Sequence, residues 1–155
     1  MTLDELYQFE RWTEEGFAAI LAGVCPKIYA SREPCDLESP RVEIKAVIGP
    51  ALQHSKSFTS GSTDAYDAFE AALEITIVTN RTGNEWTMNH PRLIGSVRSR
   101  LTMRYLIGRW SSPVVVPADL RATGTADTFS DENDIDTTSL TYYLVFNVAP
   151  TAWPT

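Results

Sequence analysis

Near the start of the chain the apolar side chains Leu3, Leu6, Phe9, Phe17, Ile20 and Leu21 fall mostly at three- and four-residue spacings. That spacing lines them along one stripe of a helix. Thr2 and Glu5 form a capping-box pair before it and Gly23 a stop after it, so the pattern predicts a helix over 3–22. From Pro26 onward the period changes. Residues 26–31 make a short strand, and over 41–48 Val42, Ile44, Ala46 and Ile48 alternate with Arg41, Glu43, Lys45 and Val47, which predicts a half-buried strand. The two are expected to pair as a hairpin.

Gly49 and Pro50 end that strand, and a stretch rich in Ser, Thr and Gly follows. Residues 49–68 are therefore expected to form a long arm. The next run opens with helix-forming residues, yet Phe69, Ala71, Leu73, Ile75 and Ile77 keep a strict period of two, so a strand is expected over 69–79. Asn89 or His90 followed by Pro91 is a helix start; Leu93, Val97, Leu101 and Tyr105 then line one face until Gly108, giving a second helix over 91–107. Val114, Val115 and Val116 lie between Pro113 and Pro117, a run too short to classify. Strands are expected from Leu120 to Phe129 and from Leu140 to Val148, joined by an acidic hairpin tip at 130–139. The order helix, three strands, helix, two strands predicts an α+β fold, with a mixed or antiparallel sheet of about five strands flanked by two main helices.

Length and composition support one folded unit spanning 1–155: the chain has 155 residues, the size of a single domain, and 43% hydrophobic content, enough for a core. The opening MTLDELYQFERW carries acids early and no apolar run, and no stretch approaches transmembrane length. A soluble protein made in the cytoplasm is expected. Cys25 and Cys35 stand without a CxxC or Cys/His cluster and read as reduced thiols, although a hairpin between the first two strands would make a bridge conceivable.

Charge is distributed more tellingly than it sums. The net charge is −7 overall, but residues 1–80 carry six bases and thirteen acids, residues 81–109 six bases and one acid, and residues 110–155 one base and six acids. An acidic chain lacks the counterion-releasing charge that grips a phosphate backbone. Its polarity suits contact between proteins.

Candidate chemistry is sparse. His54 in the Ser-rich arm and His90 at a helix start are the two imidazoles, and neither stands in a nucleophile-elbow motif. Asp127, Asp131, Glu132, Asp134 and Asp136 invite a divalent cation, but the register of a calcium loop fails at Ile135 and no glycine takes the sixth position. Gly61 lacks the Lys-Ser/Thr ending of a phosphate loop. No catalytic centre, metal or cofactor is therefore expected.

Arg92, Arg98, Arg100, Arg104 and Arg109 crowd the second helix and its end. At about 100° per residue, Arg100 and Arg104 share a face while Arg98 lies about 160° from Arg100, so the arginines flank the apolar stripe and make no single phosphate-binding row. Arg98, Arg100, Arg104 and Arg109, the acids Asp131, Asp134 and Asp136, and the near-terminal Trp153 are the candidate contacts with other subunits.

Taken together, the element order, the long arm, the basic helix opened by Asn89-His90-Pro91 and the closing TSLTYYLVFNVAP strand resemble the tail-terminator (tail-completion) proteins of long-tailed phages. The resemblance implies a structural virion subunit, assembled in the host bacterial cytoplasm. It implies a hexameric ring at the head-proximal end of the tail, which ends tube polymerisation and joins tail to head. The implied partners are further copies of the chain, the tail-tube protein and a head-closure or connector protein. DNA would pass through the ring without specific binding, and no membrane is involved. A head-closure or neck adaptor or a tube subunit is the alternative within the virion. A small ligand-binding or enzymatic domain built on His54 or His90 is the alternative of another class.

Overall fold

The computed structural model describes residues 3–25, 27–30, 40–53, 67–80, 86–111, 115–130 and 135–148. The elements run α1 (Leu3–Ile20), β1 (Ile28–Ala30), β2 (Arg41–Gln53), β3 (Asp67–Asn80), α2 (Trp86–Arg100), α3 (Met103–Leu106), β4 (Val115–Ser130) and β5 (Ile135–Val148). The expected α+β fold and the expected order of main elements are both present. One five-stranded sheet takes the order β1-β2-β3-β5-β4.

The period-two pattern explains which face of the sheet is covered. Val42, Ile44, Ala46 and Ile48 on β2, Phe69, Ala71, Leu73, Ile75 and Ile77 on β3, and Leu140, Tyr142, Leu144 and Phe146 on β5 are all buried. They form one core with Phe9, Phe17 and Ile20 of α1, Leu21 just after it, Val97 of α2 and Leu106 of α3. Burying each large apolar side chain is worth roughly 1.5–3 kcal/mol. The alternating positions on the opposite face, among them Lys45, Val47, Ala72 and Glu74, are exposed. The helices therefore cover one face of the sheet and leave the other open.

Four expectations are corrected. β1 pairs with β2 in parallel, Ile28 beside Val42 and Ala30 beside Ile44, so the expected hairpin does not form. Cys25 is a buried free thiol whose sulfur lies 3.2 Å from the Pro40 carbonyl, and Cys35 lies outside the described residues. The arm expected at 49–68 begins and ends as strand, because β2 runs on to Gln53, with a register shift after Ile48, and β3 starts at Asp67. Residues 54–66, His54 among them, lie outside the described residues.

The other two corrections concern prolines. Pro91 sits inside α2 and does not open it, and the helix stops at Arg100 before the separate turn of α3. A proline within the second turn loses a single backbone bond, a cost that packing of the buried His90 and Val97 can offset. Val115 and Val116 belong to a strand that passes through Pro117, and β4 is one element of 16 residues. Proline is tolerated there because β4 is an edge strand and shifts register between Pro117 and Asp119.

Candidate functional site

The arginines nominated from the sequence separate into two groups. Arg98 donates from Nη2 to Thr125 Oγ1 at 2.9 Å, tying α2 to β4. Arg100 turns the other way and donates from Nη1 to the carbonyls of Ile20 at 3.2 Å and Ala22 at 2.8 Å. Those carbonyls end α1, where the helix has no backbone donors left to offer and where a cation is favoured. Arg100 is thus largely committed inside its own chain. Arg104 is exposed on α3, and the exposed Arg109 donates to the Tyr105 carbonyl at 3.0 Å with its guanidinium 4.2 Å from the Tyr105 ring centre. Arg104 and Arg109 make the basic end of the molecule, beside the start of β4.

In the sequence the acidic candidates follow the last residue of β4. Asp131 and Asp134 fall in residues 131–134, which join β4 to β5 and lie outside the described residues, as does Trp153. Asp136, expected in the exposed tip, is in β5 and only 9% exposed. The hairpin extends further than its apolar alternation, so Asp136 is taken into the ladder opposite Phe129 and Thr79. β4 has 16 residues, which at a rise of about 3.3 Å per residue sets the two ends of the strand on the order of 45 Å apart.

Beside the basic end is an apolar cleft of about 300 Å³, lined chiefly by Met103, Leu106, Ile107, Trp110, Val116 and Pro117. Ile107 is 70% exposed at its mouth and Val116 37%. The indole of Trp110 builds one wall, held by its Nε1 donating to the Val115 carbonyl at 2.6 Å and by edge-on packing against Phe17 with ring centres 5.0 Å apart. None of these residues was singled out as a site from the sequence. The only signal there was the unclassified Val114–Val116 run between two prolines, and the partner residues come from a turn without period.

His90 is also more than a neighbour of a helix cap. It is 7% exposed, with Nδ1 2.7 Å from Thr79 Oγ1 and Nε2 2.8 Å from Thr138 Oγ1. The Thr138 hydroxyl donates to Asp127 Oδ1 at 2.6 Å. A hydroxyl has one proton, so Thr138 accepts from His90 Nε2–H, while Nδ1 pairs with the Thr79 hydroxyl. The chain ties α2 to β3, β5 and β4. Thr138, at 1% exposure, is closed to any substrate.

On the open face the Tyr143 hydroxyl donates to Glu70 Oε1. That bond, ahead of burial and the nearby negative charge, raises the Tyr143 pKa. Tyr142, on the covered face, is raised by burial, with Arg98 pulling the other way. Among the described residues no three His, Cys, Asp or Glu side chains gather as a metal site, and no helix is long and apolar enough to cross a membrane.

Neither a protein-family model nor a curated protein matches this chain. Among solved structures, one chain described as "Virion of native gene transfer agent (GTA) particle" is similar at 16% identity and a TM-score of 0.45, over 93% of this chain and 92% of that one.

Proposed function

We propose that this chain is a structural virion subunit. It closes into a six-membered ring at the head-proximal end of a phage tail, ends tube polymerisation and joins tail to head. The reading is supported by the exposed Arg104 and Arg109 near the start of β4, together with the sequence order that puts Asp131, Glu132 and Asp134 directly after its last residue. Groups near opposite ends of a paired strand this long would meet more readily between copies than within one. They can meet between copies, head to tail, and a contact of that kind closes into a ring when the rotation allows. Further support comes from the resemblance in element order and from the open sheet face, a second surface for the tail-tube protein or a head-closure protein. Surplus negative charge would let DNA traverse the lumen without adhering.

Charge reversal tests the reading. Arg104→Glu with Arg109→Glu should abolish ring formation in sedimentation on added tail tubes, and Asp131→Arg with Asp134→Arg introduced in the same chain should restore it. Failure of both single-sided reversals to alter assembly would overturn the proposal. Long filaments of the purified protein in electron micrographs would favour a tube subunit, since the same head-to-tail contact propagates without limit when it does not close.

A further inference from the structure

We infer that the apolar cleft between α3 and the start of β4 is filled by Phe129 of a second copy of this chain. Such seating deepens the head-to-tail contact proposed above, on which it rests, by giving that contact an apolar anchor. Among the described residues the large apolar side chains left exposed are Val47, Ile107, Val116 and Phe129. Ile107, at 70%, and Val116, at 37%, line the cleft, whose volume is about 300 Å³. Phe129, at 36%, stands near the other end of β4. A concave apolar wall and an exposed phenyl are each surfaces that another apolar group would cover with gain. At about 3.3 Å per residue, Val116 and Phe129 lie on the order of 40 Å apart along a strand paired throughout with β5, so a chain's own phenyl does not fill its own cleft.

The chemistry of the two ends matches. Trp110 walls the cleft with an indole and Met103 with a polarisable sulfur, both favourable neighbours for a phenyl ring. Exposed Arg104 follows Met103 in the chain, and exposed Arg109 lies between Gly108 and Trp110, so two cations border the lining residues. Asp127 and Phe129 are alternate residues of β4 and share one face, which puts an exposed carboxylate beside the phenyl. Asp119, toward the cleft end of the same strand, is paired with Arg121 at 2.8 Å. Opposite charges flanking an apolar knob and its hole fix orientation more than they add strength. A phenyl buries at most roughly 150–250 Å², far less than the roughly 1,200 Å² of a stable interface. Standing alone, the contact therefore exchanges. Knob and hole are different surfaces of one chain, so a copy that receives a phenyl still has its own to offer.

Complementary variants test the docking. Phe129→Ala keeps the cleft and lacks the phenyl, whereas Ile107→Asp, at an exposed position, keeps the phenyl and spoils the cleft. Phe129→Ala chains labelled at their isoleucine methyls are titrated with unlabelled Ile107→Asp chains, with the buried Ile75 as control. The Ile107 signal should move and saturate under the ring current of the incoming phenyl while Ile75 stays fixed. Adding Arg104→Glu and Arg109→Glu to the labelled chain should weaken this binding at least about tenfold. An Ile107 signal that stays fixed up to millimolar partner, or that moves equally with a partner carrying both Phe129→Ala and Ile107→Asp, would overturn the proposal. If the intact chain still assembles on added tail tubes in that case, the failure is confined to the phenyl. An intact chain that never assembles while the Ile107 signal moves would count against the ring and for the docked phenyl.

Discussion

The side chain of Glu14 in α1 takes the place of a missing strand: its Oε1 accepts the backbone N–H of Ala46 at 2.9 Å. Val42 N–H, on the same side of β2, bonds the Lys27 carbonyl at 2.9 Å, and β1, whose last residue Ala30 pairs with Ile44, stops short of Ala46. Glu14, and one helical turn earlier Glu10, whose Oε1 accepts from Ile48 N–H at 3.1 Å, continue the ladder with carboxylates. The i, i+4 spacing of the two glutamates matches the spacing of alternate N–H groups along β2 closely enough to serve both.

Glu14 is 0% exposed, so losing its carboxylate strands a buried N–H. Glu14→Leu should cost about 1–3 kcal/mol in urea unfolding. Glu14→Gln, which keeps an acceptor oxygen, should lose less than half as much.

Gly16 sits in the middle of α1, where alanine would ordinarily add about 1 kcal/mol of helix stability. Here a Cβ would collide with the indole of Trp110. Gly16→Ala should therefore lower the thermal midpoint, with a loss of about 1–3 kcal/mol from forced repacking. The Trp110 emission spectrum should move as the ring is displaced.

Arg100 and Arg104 occupy successive turns of basic sequence yet should behave oppositely. Arg100→Ala removes two bonds to the end of α1 and is expected to destabilise by about 1–2 kcal/mol. Arg104→Ala, at an exposed site, should leave unfolding unchanged within about 0.5 kcal/mol while weakening assembly. Denaturation and sedimentation on the same pair of variants check both.

Tyr143 holds its proton above the ordinary value of 10.0 because the phenol donates to Glu70. A pKa raised on folding adds stability that is fully present below the unfolded value and is lost as pH rises through the folded one. The bond should thus contribute unchanged at neutral pH and fail only in alkali. In absorbance titrations, the phenol missing from Tyr143→Phe should be one of the late-titrating groups, and Glu70→Gln should move that component to lower pH.

The parts of this fold that were legible in the sequence are those where burial writes a period. Along Leu140–Phe146 every second residue is buried, and along Phe69–Ile77 the same alternation outweighs local helix preference. β4 was read only in fragments because its covered-face positions Ala122, Thr125, Asp127 and Phe129 are all exposed, so no alternation is imposed on them. Parallel pairing of β1 was hidden because three residues carry no directional signal. The roles of Glu10, Glu14, Arg100 and His90 were illegible for another reason. Each polar side chain meets a partner from a distant element, and a one-dimensional pattern marks such residues as solvent-facing. Of the candidate site, the cleft was not readable, since its walls come from α3, Trp110 and the first residues of β4 without common spacing.

The two glutamates of α1 also decide how copies of this protein can stack. With N–H groups of β2 beyond β1 taken by carboxylates, the long strand at the sheet's rim among the described residues is β4, whose bulges after Pro117 and Ala122 already roughen it. Where the carboxylates hold those N–H groups, β2 offers a poor template for a neighbour's strand. The architecture thereby works against open-ended strand addition along that flank.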